Sequence, residues 1–214
     1  MIRARALLDA LEHLVGGLGT TIMALVALIW MALVALSCVV GVGLLLAPTV
    51  PRVVRAVAGR ERARLSRWGP EIIGPEPVPA GVRAALADPA VRRELRWVLA
   101  HGTFGLLVAT VALTLPVDAV QDVTYPLWWP LLPPDNATPS LVFWTVRDAS
   151  DAFAVPLLGL ALAGAFALLG PRLVRLQAWP GRRLLAPTAD TDLSLRVAEL
   201  SATRAAALDA HATE

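Results

Sequence analysis

The run LVGGLGTTIMALVALIWMALVALSCVVGVGLLLAPTVP, Leu14–Pro51, contains no charged residue. As one straight helix it would extend about 57 Å at roughly 1.5 Å per residue, against a bilayer hydrocarbon core of about 30 Å. Two shorter spans folded as a hairpin fit that length better. Spans are therefore expected at 14–33 and 36–51, with the turn near Leu36–Gly41, where Gly41 and Gly43 ease the bend. Met1 to Arg5 ahead of an apolar stretch mimic a secretory signal, but the run far exceeds the roughly 7–15 apolar residues of such a segment, so a retained anchor is expected.

The composition agrees with this reading. Of 214 residues 57% are hydrophobic and 17% charged, whereas a soluble domain carries about 45–50% apolar and roughly 25% charged residues. All 19 basic residues are Arg, which suggests a GC-rich bacterial genome. They flank apolar runs and form no basic soluble face with a recognition motif, so no nucleic-acid partner is expected. Cys38 is the single cysteine, which excludes an intrachain disulfide and a cysteine-based metal site.

Outward from the first run, residues 52–97 form a linker. Arg52–Arg96 holds ten Arg against five acids, Glu61, Glu71, Glu76, Asp88 and Glu94, punctuated by Gly69-Pro70 and by Gly74-Pro75-Glu76-Pro77-Val78-Pro79. The excess of Arg predicts a cytoplasmic location. Asp88-Pro89 reads as an N-cap followed by proline at the first helical position. The third span is expected at 98–117, stopped near Pro116. Residues 118–151 carry five Asp and only Arg147, with Tyr125, Trp128, Trp129 and Trp144 interleaved, so this loop is expected outside. The fourth span, 152–170, is uncharged; Gly159, Ala163 and Ala167 recur every four residues, a spacing that lets helices approach closely in lipid. Pro171 is expected to end it, and Arg172, Arg175, Arg182 and Arg183 place the following segment inside. Charge and length thus predict an all-α polytopic membrane protein: four transmembrane helices as two hairpins over residues 1–187, in the plasma membrane, with both termini cytoplasmic. Beyond Pro187, Thr188, Asp190 and Thr191 are candidate N-caps for a polar helix over 188–214, in which Leu193, Val197 and Leu200 follow a coiled-coil spacing.

No catalytic constellation, cofactor site or metal site emerges. His13 and His101 lie at the inner edges of spans and read as interfacial; His211 lies on the terminal polar helix. No charged residue occupies the centre of a span, which argues against ion transport. The aromatic, acidic outer loop is the one unusual external surface, and its Asp122, Tyr125, Trp128, Trp129, Trp144 and Asp148 are the candidate signal-sensing residues.

Leu86-Ala87-Asp88-Pro89-Ala90, leading to Glu94-Leu95-Arg96-Trp97-Val98-Leu99 and Gly102-Thr103-Phe104-Gly105-Leu106-Leu107, resembles the N-terminal membrane sensor domain of many actinobacterial two-component histidine kinases. The segment Arg196–Ala210 is similar to the helix that precedes the phosphoacceptor in those kinases. The resemblance implies paired membrane hairpins, a homodimer formed through the helix after the fourth span, a kinase core in cis or trans, and a response regulator. His211 is followed by Ala212 and not by Asp, so the phosphoacceptor role is not carried onto it, and no kinase activity is expected in these residues. The alternative functions from other classes are a small transporter subunit and a structural membrane scaffold.

Overall fold

The structure, a computed structural model, describes residues 2–133, 137–141 and 145–187, and beyond them residues 193, 194, 197, 200, 201, 203 and 204. All of its regular elements among these residues are helical. In chain order they are α1 (Ile2–Ser37), a 3₁₀ turn (Cys38–Val40), α2 (Val42–Leu46), α3 (Thr49–Arg67), α4 (Val82–Ala87), α5 (Pro89–Ala100), a π-helical turn (His101–Gly105), α6 (Leu106–Trp128), a 3₁₀ turn (Trp129–Leu131) and α7 (Ala149–Leu185). Three stretches are long and apolar enough to cross a membrane: Leu7–Val40, Pro89–Leu131 and Ala149–Leu185. The chain divides into two compact units, Met1–Met23 with His101–Trp179, and Ala24–Ala100 with Pro180–Glu214.

In the second unit the chain reverses where the sequence places a turn. Gly41 takes φ +82°, a left-handed conformation that costs a residue with a Cβ about 1–2 kcal/mol. Gly43 then packs against the end of α1, where a Cβ would lie 2.4 Å from the Val34 carbonyl oxygen. Further down, Trp30 Nε1 donates to Thr49 Oγ1 at 3.1 Å. Ala24 and Ala27 of α1 meet Val54 and Ala58 of α3, Trp97 and Val98 of α5, and Leu185 in one buried cluster. Small side chains at 24, 27 and 58 allow the helices to approach closely. The expected second span, 36–51, is not a single helix. It comprises the end of α1, the 3₁₀ turn, α2 and the start of α3, and its apolar character ends at Arg52.

Asp88 acts as the expected cap of α5: its Oδ1 accepts from the Ala90 amide at 2.8 Å and its carbonyl from the Arg92 amide at 3.1 Å. Two predicted stops are absent. Pro116 lies inside α6, and Pro171 lies inside α7, which continues to Leu185. A proline removes one backbone donor, and neighbouring helices sustain such a helix in an apolar environment. Ala119, Asp122 and Tyr125, beyond Pro116, are all buried, so packing carries α6 past the proline and much of the predicted outer loop is helical.

In the first unit Thr20 and Thr21 meet His101, and Gly17 meets Gln177. The core toward the N-terminus joins Leu7, Leu11 and Leu14 to Ala112, Leu113, Leu115, Phe166 and Leu173. Within this unit α1 therefore runs against α6 and with α7. Two successive hairpins starting inside require the first span to run with the third, so this finding reverses the expected arrangement. Gly159 abuts α6, where a Cβ would sit 2.6 Å from the Val123 amide nitrogen, while Ala163 and Ala167 are exposed. Among the described residues, Gly159 is the member of the predicted small-residue face that packs closely against another helix.

Candidate functional site

The outer-loop candidates gather at the α6–α7 end of the first unit. Tyr125, fully buried, packs with Ala137, Val146, Ala152 and Val155, and Trp128 and Trp129 flank this cluster. The Tyr125 and Trp128 rings meet edge-on at 4.8 Å. Asp122 is buried as well. Its carboxylate accepts from the Ser140 amide at 3.0 Å and from Ser140 Oγ at 2.6 Å, tying the returning loop to α6. Asp148 is exposed and caps α7, accepting from Ser150 Oγ at 2.6 Å and the Asp151 amide at 2.9 Å; these bonds hold its carboxyl below the usual range. Asp122 and Asp148 thus shape the loop, and their oxygens are engaged within the chain. Tyr125, Trp128 and Trp129 come together as its aromatic floor. Trp144, Asp135, Thr188, Asp190, Thr191 and His211 lie outside the described residues.

A buried polar cluster in the same unit went unread in the sequence. His101 Nε2 lies 3.2 Å from Thr20 Oγ1 and 3.1 Å from Thr21 Oγ1, at the start of a π-helical turn, a distortion frequent at functional positions. The fully buried Gln177 amide rests on Gly17, where a Cβ would come within 2.2 Å of Gln177 Oε1. A lone His carries no sequence signal that it will be brought to the hydroxyls of another helix.

The second unit holds a charged network that the sequence presented only as a basic linker. Glu94 of α5 is buried and accepts from Arg62 Nη2 at 2.6 Å and Arg55 Nε at 2.7 Å, both from α3. Burial lowers the Arg62 pKa and Glu94 opposes that shift. Arg55 also donates to the Glu76 carbonyl, which pins the proline-rich strip to α3. Glu61 accepts from Arg64 through both oxygens, at 2.7 and 2.8 Å.

This network reaches the end of α7. Arg62 Nε donates to the Leu185 carbonyl at 3.3 Å, Arg93 donates to the Ala186 carbonyl, and Arg182 donates to the Leu65 carbonyl at 3.2 Å. The last carbonyls of a helix lack intrahelical donors and carry partial negative charge; here arginines of α3 and α5 satisfy two carbonyls at the end of α7. Gly181 fits between Leu65 and Glu61, where a Cβ would lie 2.6 Å from Leu65 Cδ1. A cleft of about 410 Å³ borders the same place, lined by Arg62, Ile73, Asp88, Arg93 and Leu185 among others. Beyond it, Leu193, Val197 and Leu200 are helical and exposed.

A protein family described as "Putative sensor" matches residues 13–185. No curated protein and no solved structure matches the chain.

Proposed function

The chain belongs to the "Putative sensor" family, and from that footing we propose that it is the membrane signal-input module of a two-component histidine kinase. The kinase core acts in cis or in trans, and a response regulator lies downstream. The proposal sets the chain in the plasma membrane as a homodimer, with the Arg-rich linker and Arg182–Pro187 on the cytoplasmic side and the acidic cap outside, following the distribution of Arg between loops. The observation that carries the reading is the end of α7. The helix starts at the Asp148 cap of the outer loop, and its terminal carbonyls are held by Arg62 and Arg93. Directly beyond lies the segment similar to the helix before a kinase phosphoacceptor. A change at the cap that favours one setting of α7 over another would be read at that grip. A ligand shifts such an equilibrium only by its different affinity for the two settings.

The test is to join residues 1–214 to a kinase core that has been stripped of its own input domain. Phosphorylation of the cognate response regulator is then measured in membranes. Asp122→Ala, which releases the loop, and Arg93→Gln, which loosens the end of α7, should each change the phosphorylation level relative to the unaltered chain. Identical levels in all three, at equal membrane abundance, would remove the input reading. A transporter subunit would leave them identical too, and would couple instead to an ATPase partner.

A further inference from the structure

One groove of the first unit plays no part in the cap or in the end of α7. It measures about 450 Å³ and is lined by Phe104, Arg172, Arg175, Leu176 and Trp179. The four α7 residues lie at intervals of three, one and three, so they share one helix face. Phe104, from the π-helical turn, closes the side. Both guanidiniums are exposed. Arg175 Nε bonds back to the Pro171 carbonyl at 3.2 Å, and among the described residues neither arginine pairs with a carboxylate. No acid occurs between Asp151 and Asp190 to offset them along α7.

The position of these charges is as informative as their sign. Ala152–Gly170 is uncharged and, at roughly 1.5 Å per residue, extends about 28 Å, the thickness of a hydrocarbon core. Arg172 and Arg175 follow directly, at the depth where lipid phosphates lie. Phe104 and Leu176 supply apolar wall beside them, and Trp179 supplies an aromatic ring of the kind that favours the headgroup layer. An apolar wall with two adjacent uncompensated guanidiniums suits an amphiphile with an anionic head. A neutral zwitterionic head would bring its own ammonium group to the arginines, and a free anion would leave the wall unused.

The geometry points to a binding site for one anionic phospholipid: its phosphodiester between Arg172 and Arg175, its acyl chain running past Phe104 back toward the uncharged stretch that ends at Gly170. The inference rests on reading α7 as a membrane span and deepens the membrane part of the proposed function. It makes the headgroup composition of the inner leaflet an input to the helix that leaves the membrane.

The full chain in lipid nanodiscs tests this, with Trp179 as reporter. Its share of the fluorescence is the difference between the unaltered protein and Trp179→Phe. Discs of phosphatidylcholine are doped with brominated phosphatidylglycerol or, separately, with the same amount of brominated phosphatidylcholine. Trp179 should be quenched more strongly by the brominated anionic lipid. The variant Arg172→Gln/Arg175→Gln should reduce that preference by roughly tenfold or more, given the attraction expected for two arginines near an anionic surface, while quenching by brominated phosphatidylcholine persists. Equal quenching by both lipids in the unaltered protein would overturn the site while leaving α7 in the membrane. Quenching by neither would overturn the site, because no acyl chain would then reach the groove beside Trp179. Loss of the preference on adding millimolar inorganic phosphate would reassign the groove to a soluble anion and overturn the lipid reading.

Discussion

Replacing Glu94 by Gln removes one charge at the centre of the linker and keeps the side-chain volume. Glu94 is fully buried and receives two guanidinium donors, from Arg62 at 2.6 Å and Arg55 at 2.7 Å. In the Gln variant one carboxylate oxygen becomes an NH₂ group facing a guanidinium, donor against donor, and Arg62 stays buried without a counter-charge. The pair carries a burial cost: desolvation, with the nearby charges of Arg55 and Arg93, lowers the Arg62 pKa against the pull of Glu94. Breaking it is nonetheless costly, because the desolvation remains when the partner is gone. Such losses run to about 3–5 kcal/mol, which multiplies the open population of the linker by roughly a hundred to several thousand at about 1.4 kcal/mol per factor of ten.

Trypsin reads that population. Arg60, Arg67, Arg83 and Arg92 are exposed side chains on or between linker helices, and when opening is fast relative to cleavage the rate follows the open fraction. In the purified, solubilised chain, Glu94→Gln should accelerate cleavage within 52–97 by at least tenfold while the helices outside the linker stay intact. Asp88→Asn alters a partly exposed pair 4.0 Å from Arg55 and should change the rate by less than about fivefold, as suits a surface ion pair worth under about 1 kcal/mol. The joint change Arg62→Met/Glu94→Leu removes both buried charges and should recover most of the protection. Cleavage of Glu94→Gln within about fivefold of the unaltered chain, the range of an exposed pair, would refute the buried-network argument.

Other outcomes follow from the same geometry. Cysteines at Arg60 and Arg183 should react only from the cytoplasmic side and one at Asp135 only from outside; labelling of Asp135→Cys from the Arg60 side would invert the proposed topology. The direction of α1 in the first unit expects Arg5→Cys to label with Asp135→Cys, and labelling with Arg60→Cys would restore the two-hairpin path. Asp122→Ala loses two hydrogen bonds to a carboxylate, about 1.5–3 kcal/mol each, and should expose a cysteine placed at the buried Val146 to a water-soluble maleimide; continued protection would show that aromatic packing alone holds the cap. Cysteines at the exposed Leu200 of two chains should crosslink in intact membranes, and less so when Val197 is changed to Asp; no crosslink in the otherwise unaltered protein would remove the dimeric-helix reading.

The places where the sequence was legible share a physical cause, as do those where it was not. Uncharged length revealed the helices, and Gly41 revealed the reversal, because solvent exclusion and a positive φ leave direct marks on composition. The Asp88 cap was legible because capping is local, spanning Asp88 to Ala90. Pro116 and Pro171 misled because the energy that carries a helix through proline comes from distant packing, which no local window contains. The same holds for Glu94. One of five acids among ten arginines reads as solvated charge, and only the approach of α5 to α3 makes it a buried acceptor for Arg55 and Arg62. Asp122 is a third case, since its partner Ser140 is 18 residues away.

The proposed relay can now be placed on particular bonds. A helix end whose carbonyls were satisfied by a local glycine motif would carry its cap along as it moved. The end of α7 is satisfied instead by Arg62 and Arg93, side chains of other helices. A slide by one residue shifts each carbonyl about 1.5 Å along the axis and rotates it about 100°, enough to break both bonds, and a residue with a Cβ in the place of Gly181 would collide with Leu65. Small displacements are therefore resisted, and the next setting with every carbonyl partnered requires a discrete change of register. Packed interfaces switch in this discrete manner more readily than they deform. If α7 transmits a signal, the linker arginines set the step size. Weakening Arg93 while keeping Glu94 would then alter the balance between the two settings and leave the fold of the linker in place.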